Sequence, residues 1–295
     1  MIENNKPFGV LNINKPLGIS SFEVVRKVKK LAREKKVGHG GTLDPEASGV
    51  LPVCIGRATK AIDFIMEGEK EYIAKVKLGV VTDTYDREGK VLRESNVSFT
   101  EEEIANAIFK FEGTINQVPP MYSALKQNGK KLYELAREGK EVYREPRRVT
   151  IYSIEILSIS SPIIEIKVRC SKGTYIRSLC YDIGEELGCG AMMWDLKRTA
   201  TGPFSIENSV DLKELTEENI NNYIISLDEV FSKFPKLVVN EKFERLILNG
   251  VTINDRTLLN KIEKFCKYAV YNNSDKLIGI GLESDAGFKL IKLFV

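Results

Sequence analysis

A single histidine, His39, stands among 295 residues, which argues against catalytic zinc of the histidine-rich kind. The five cysteines (Cys54, Cys170, Cys180, Cys189, Cys266) are odd in number and never spaced C-x-x-C, so neither a disulfide framework nor a zinc ribbon is indicated. The only tryptophan, Trp194, reads as a packing residue rather than a catalytic one. No window approaches the roughly 18 unbroken apolar residues of a bilayer span, and MIENNKPFGVLNINKPLG at the start lacks an apolar run of signal-peptide length. The expectation is a cytoplasmic protein with no membrane association. A large charge excess is missing as well: the net charge is +3.

What charge there is lies unevenly along the chain. Residues 15 to 37 hold eight Lys/Arg against two Glu, and residues 120 to 150 hold eight against four acids, whereas residues 205 to 234 hold two against seven. Basic clusters set apart from acidic ones fit the electrostatic footprint of a polyanion, and they equally fit solvated helix faces.

Hydrophobic period gives the coarse organisation. Residues 20 to 36 read as an amphipathic helix, with Ser20 and Glu23 as a capping box, Val24, Val25, Val28, Leu31 and Ala32 on one face, and Arg26, Lys27, Lys29, Lys30 and Arg33 on the other. EYIAKVKLGVV (71 to 81) alternates as a half-buried strand, a turn follows at 83 to 89, a second capped helix begins at Thr100, and IIEIKVRC (163 to 170) is another strand. SKGTYIRSLCYDIGEELG then starts a helix whose apolar face is Ile176, Leu179, Cys180, Ile183 and Leu187, closed by Gly188, with Arg177 in the first turn off that stripe. Residues 117 to 148 are basic, aromatic and rich in turns, an excursion from the sheet. From about Pro235, after an acidic linker, KLVVN, an Asn-Gly turn at 249 and 250, CKYAVYNN, KLIGIGLES and FKLIKLFV predict a small separate β-rich domain.

The stretch GHGGTLDPEASGVLPVCIGRATK (38 to 60) carries the chemistry. Pro45 restricts the backbone of Asp44, while Gly40 and Gly41 allow the preceding chain to approach closely. An ionised aspartate can act as a nucleophile without an activating base, given an orienting cation; T-L-D-P is also an ordinary turn with a capping Asp. Asp83 and Asp86 in VTDTYDREG lack the D-x-D-x-D-G pattern and terminal Glu of a calcium loop; by itself the segment reads as a plain surface turn.

These residues, with KEYIAKVKLG, VTDTYDREG, VPPMYSALKQNGKKLYELAREG and CSKGTYIRSLCYDIGEELG in the same order, resemble the TruB family of tRNA pseudouridine synthases. The likeness is collinear from NKPLGISS at 14 to LKRTATGPF at 196 to 204. It implies an α+β pseudouridine synthase fold, with a central mixed or antiparallel sheet flanked by helices. It further implies a catalytic domain over 1–234 in which VTDTYDREG is a loop near the RNA, a thumb-like RNA-binding insertion at 117–148 that is poorly ordered or displaced without RNA, and a PUA-like RNA-binding domain over 235–295. The activity implied is conversion of uridine 55 in the T-loop of tRNA to pseudouridine, on a uridine flipped out of its stack, by a monomer with no obligatory protein partner, no cofactor and no metal.

Position by position, Asp44 matches the catalytic aspartate and Arg177 the arginine that pairs with it. Tyr72 matches the tyrosine that stacks on the target base and is a candidate for proton transfer at carbon 5. Tyr175 and Leu196 match positions lining the uridine pocket, and His39 one that holds flipped-out nucleotides. Lys15 in N-K-P is an active-site lysine or a turn lysine. Two other functions stand beside this one: a catalytically silent protein that binds or folds tRNA, which intact Asp44, Tyr72 and Arg177 argue against, and a carboxylate glycosidase, which would need a second acid paired with Asp44.

Overall fold

The computed structural model describes residues 7–127 and 129–295. Its centre is a mixed eleven-stranded sheet whose main path runs Val210–Asp211, Gly9–Lys15, Ala47–Ile55, Ala191–Thr201, Lys70–Leu78, Ile163–Cys170, Arg147–Ser160, Gly113–Gln117. Most neighbours are antiparallel; Ala191–Thr201 runs parallel to Ala47–Ile55, and Val210–Asp211 parallel to Gly9–Lys15. Burial follows position in the sheet. Ala47–Ile55, central and covered on both faces, is buried almost throughout, whereas Lys70–Leu78 alternates buried and half-buried residues.

Helices Ser21–Leu31, Glu101–Phe109 and Ile176–Leu187 pack their apolar stripes on this sheet. The capping boxes at Ser20/Glu23 and Thr100/Glu103 form as their spacing predicts, and Gly188 closes the third helix at φ 80°. The first helix stops short of its predicted end at residue 36. Beyond Ala32 the apolar period fails, and Arg33, at φ 49°, turns the chain back into the strand Val37–His39. The strand expected over 71 to 81 breaks at Gly79 (φ 80°), where a Cβ would lie 2.6 Å from the Ser95 carbonyl oxygen. The chain continues as Val80–Thr82, paired with Val91–Glu94 in a two-stranded ribbon.

Between the edge strand Gly113–Gln117 and its neighbour Arg147–Ser160, the described residues from 118 to 146 leave the sheet as a two-residue hairpin ladder (Lys126–Gln127 with Lys130–Lys131) and a short helix, Leu132–Arg137. Gln117 and Arg147 themselves belong to sheet strands, so the excursion is slightly shorter than its sequence suggests.

The C-terminal strands Lys236–Val238, Lys267–Tyr271, Leu277–Ser284 and Gly287–Leu293 form a second sheet. The Asn249-Gly250 turn follows a helix, Glu241–Leu248, within the segment expected to hold only short strands and turns: Asn240 caps it, Phe243 and Ile247 are its buried side, and the i, i+4 spacing of those two residues is its signal in the sequence. This sheet has its own core around Val239, Val270 and Phe288, and a second apolar layer joins Ala269, Ile280 and Phe294 to Val10, Val50 and Ile65 of the larger unit. Lys292 pairs with Asp63 at 3.0 Å and Lys267 with Glu67 across the same junction. Among the described residues, no helix is long and apolar enough to cross a membrane.

Candidate functional site

Strand register assembles the floor of the site. Ala191–Thr201 sets Leu196 opposite Ala47 and Ala74, and Arg198 opposite Gly49 and Tyr72. Gly49, at φ 102°, lets the strands meet: a Cβ there would sit 2.1 Å from the Arg198 carbonyl oxygen.

The loop before Ala47–Ile55 carries Asp44 and is tied down from several directions. Ser21 Oγ accepts from the Leu43 amide and donates to the Leu43 carbonyl, both at 2.8 Å. The Gly18 amide donates to Pro45 O at 2.9 Å, Ala47 N donates to Asp44 O at 3.0 Å, and Glu46 pairs with Arg87. The fixed backbone leaves the Asp44 carboxylate presented to solvent, its side chain 41% exposed.

Arg177 meets it from the first turn of Ile176–Leu187. Its Nη2 lies 3.0 Å from Asp44 Oδ2 and donates to Tyr122 O at 2.8 Å, while Nη1 reaches Asp86 Oδ2 and Thr84 O at 3.3 Å each. Lying off the apolar stripe does not make it exposed: Arg177 is buried because the loop at 82 to 89 and the excursion at 118 to 146 converge on it. One guanidinium therefore holds two carboxylates, one open and one buried, in a fixed geometry. Asp86 is in turn held by Thr84 Oγ1 at 2.5 Å and the Glu88 amide at 3.2 Å.

Asp44, Arg177, Tyr72, Tyr175 and Leu196 all line one cleft of about 1380 Å³. Its opposite wall comes from Tyr122, Tyr133 and Arg137 of the excursion, and Arg147, Arg148 and Lys172 add cationic charge at its edge. Tyr175 is clamped by Gln117, whose side-chain amide donates to Tyr175 O at 3.0 Å and accepts from Tyr175 N at 2.8 Å. Burial raises the phenols of both Tyr72 and Tyr175; at Tyr72 the charge of Arg198 acts in the opposite direction.

Two residues singled out from sequence do not line the cleft. His39 is half-buried in Val37–His39, opposite Val53; burial, aided by the Arg198 charge, lowers its pKa, and its Nδ1 has no partner among the described residues. Lys15 is fully buried, and its Nζ donates to Ile19 O at 2.7 Å, Pro16 O at 2.9 Å and Pro45 O at 3.3 Å, so its ammonium is committed to holding the Asp44 loop.

Burial brings the Lys15 pKa down to about 8, with Asp44 and Glu46 opposing the drop. The folded lysine sheds its proton at lower pH than the unfolded one, so its burial penalty is complete below pH 8 and relieved as pH rises toward the unfolded value. The stability advantage of the parent protein over Lys15→Met should accordingly grow between about pH 8 and 10. Denaturant melts at several pH values check this; an advantage that shrinks over that range would be the wrong sign.

Asp86, Arg198 and Gln117 went unrecognised in the sequence. Asp86 lies in a motif whose sequence points to a loop near the RNA or a surface turn, Arg198 inside the LKRTATGPF motif, and Gln117 at the edge of the excursion. Only the fold shows what each touches.

Comparison with known proteins bears on this arrangement. Residues 29–176 match the model of the TruB family pseudouridylate synthase N-terminal domain, and residues 177–232 that of the tRNA pseudouridylate synthase B C-terminal domain. Similar sequences include the tRNA pseudouridine synthase B of Clostridium acetobutylicum, 56% identical over 285 residues, with 97% of this chain and 99% of that protein covered. That of Dehalococcoides mccartyi is 42% identical over 293 residues, covering 97% and 96%. Among solved structures, a Cbf5-Nop10-Gar1 complex contains a chain with a TM-score of 0.76 and 28% identity, covering 100% of this chain and 87% of that one. An H/ACA RNP bound to a substrate RNA containing 2′-deoxyuridine gives 0.73 and 27%, with the same coverage.

Proposed function

Because this chain belongs to the TruB family of pseudouridine synthases, in which it is a tRNA-modifying isomerase, we propose that its target is uridine 55 of the T-loop and that Asp44 is the nucleophile. The observation that carries the reading is the Asp44–Arg177 pair at the floor of an open cleft: a carboxylate paired with a guanidinium, aimed and accessible beside two tyrosines.

A T-loop uridine must leave its stack to reach this floor, at a cost of a few kcal/mol that aromatic stacking and phosphate contacts offset. Tyr72 and Tyr175 supply aromatic surface, Leu196 an apolar wall, and Arg147, Arg148 and Lys172 phosphate contacts. Residues 117–148 act as the thumb over the T-arm, and the sheet of residues 235–295 serves as the PUA-like RNA-binding domain. The resemblance gives His39 a role with flipped-out nucleotides; its half-buried position behind the Asp44 loop fits an indirect contribution through the Gly40-Gly41 backbone better than direct contact.

Isomerisation removes the hydrogen from carbon 5, so tRNA transcribed with [5-³H]uridine should release tritium to water in proportion to turnover. A protein that only binds or folds tRNA would release none. Tyr72→Phe keeps the ring and loses the hydroxyl, so we expect turnover to fall by roughly 10²-fold or more with tRNA affinity nearly unchanged, as single-turnover rates against filter binding would show. Arg148→Ala should weaken binding across tRNA sequences and lower the slope of log K against log salt by about 0.7 to 0.9 for a single lost phosphate contact; titrations at several salt concentrations test this.

A further inference from the structure

Arg198 is the largest fully buried side chain among the described residues, 1% exposed, and takes part in none of the described ion pairs. Its Nε donates to Val50 O at 2.7 Å and its Nη2 to Gly41 O at 3.1 Å, and Arg198 stands directly opposite Tyr72 in the register of the paired strands, its charge favouring the ionised phenol. Carbonyl dipoles solvate such a charge without cancelling it, and a buried cation lacking an acid partner is expensive.

The surroundings add to the expense. The Arg198 charge acts unfavourably on buried Lys15 and Lys70 and on His39, while Cys170 and Asp44 act on the Tyr72 phenol in the sense opposite to Arg198. An anchor for two carbonyls needs donors, which a neutral amide provides. A net charge is explained by a neighbour that becomes negative, and the neighbour paired with Arg198 across the strands is Tyr72.

We propose that Arg198 is a positioning residue for the isomerisation, fixing the Tyr72 hydroxyl against the catalytic loop and serving as counter-cation to a Tyr72 phenolate. The proton balance of the reaction calls for such a species. The N1–C1′ bond breaks with its electron pair on N1, which gains a proton; the C5–C1′ bond forms, and the C5–H proton leaves as its electron pair returns to the ring. A hydroxyl that gives its proton to N1 and later takes the one from C5 passes through a phenolate and ends unchanged. The two carbonyls place the cation in register with the chemistry: Gly41, at φ 111°, lies three residues before Asp44, and Val50 lies in the strand that Asp44 leads into.

The catalytic part of this inference rests on the function proposed above, whereas the Arg198–Tyr72 coupling can be read without RNA. A fluorinated tyrosine, whose phenol ionises at lower pH, is placed at position 72 of the full chain and titrated by fluorine NMR. Arg198→Gln keeps amide donors and loses the charge, so its ionisation midpoint should rise by about one pH unit or more; Arg198→Lys keeps the charge and should stay within about half a unit of the parent. With natural Tyr72, single-turnover rates should fall about tenfold or more in Arg198→Gln with tRNA affinity within about threefold, and recover at least partly in Arg198→Lys. A midpoint in Arg198→Gln equal to the parent's overturns the coupling, and an equal fall in affinity and rate overturns the catalytic part. Should Arg198→Gln not fold, Arg198→Lys decides: a parent-like midpoint and rate uphold the charge, and a loss of rate near 100-fold without a moved midpoint refutes it. A moved midpoint in a protein that proves inactive on tRNA would leave the coupling standing while the functional reading falls.

Discussion

Asp44→Asn should lose pseudouridine formation altogether while tRNA affinity stays within about threefold of the parent, a difference below about 1 kcal/mol. The amide has nearly the volume of the carboxylate and keeps a carbonyl oxygen toward Arg177, and the loop around it is held by contacts that do not involve the side chain: Ser21 with Leu43, Gly18 with Pro45, and Lys15 with Pro45. What disappears is the charge and with it the nucleophile. Rates under single-turnover conditions, set beside binding isotherms on the same protein, give the comparison; a parallel loss of rate and affinity would mean that Asp44 shapes the binding surface instead of reacting.

Substitution at Arg177 should produce the other large effect, and in two different ways. Arg177→Lys keeps a positive charge, but a single ammonium cannot span Asp44, Asp86 and the carbonyls of Thr84 and Tyr122, so turnover should fall by about 10²-fold or more. Arg177→Met removes the charge as well. It leaves Asp86 buried with only Thr84 and the Glu88 amide, and unfolding free energy should drop by about 3 kcal/mol. Asp86→Asn in the Arg177→Met background should restore part of that stability and none of the turnover, because it removes the orphaned charge without re-aiming Asp44. Denaturant unfolding of the two single variants and the double variant forms the cycle; strictly additive losses would show that Arg177 and Asp86 do not act as a pair.

How far the sequence disclosed this arrangement depends on whether the determining interactions are local. Caps, periods and punctuating glycines act within a few residues, so both capping boxes, the Gly188 terminus and the strand Ile163–Cys170 were legible in advance. Where tertiary pairing decided, reading failed. The turn at Arg33 follows from the chain's return into Val37–His39, and the helix Glu241–Leu248 was obscured by a neighbourhood of short strands around an Asn-Gly pair.

The site divides along the same line. Asp44 and Tyr72 stand in motifs whose local pattern and family likeness agree, and Arg177 was placed in the correct first turn of its helix. That Arg177 is shared with Asp86, that Gln117 clamps Tyr175 across the excursion, and that Arg198 stands opposite Tyr72 on the neighbouring strand are relations between residues 58 to 126 positions apart in the chain. No periodicity encodes them. Lys15 shows the converse: of the two roles its motif allows, active-site lysine or turn lysine, the contacts favour the second, its ammonium donating to three backbone carbonyls.

The most direct measurement takes an unmodified tRNA transcript, incubates it with the protein without additives, and maps pseudouridine nucleotide by nucleotide. Conversion of uridine 55 in the T-loop by the parent protein and none by Asp44→Asn is the expected result. A T-loop uridine left intact by the parent, or converted equally by both proteins, would contradict it.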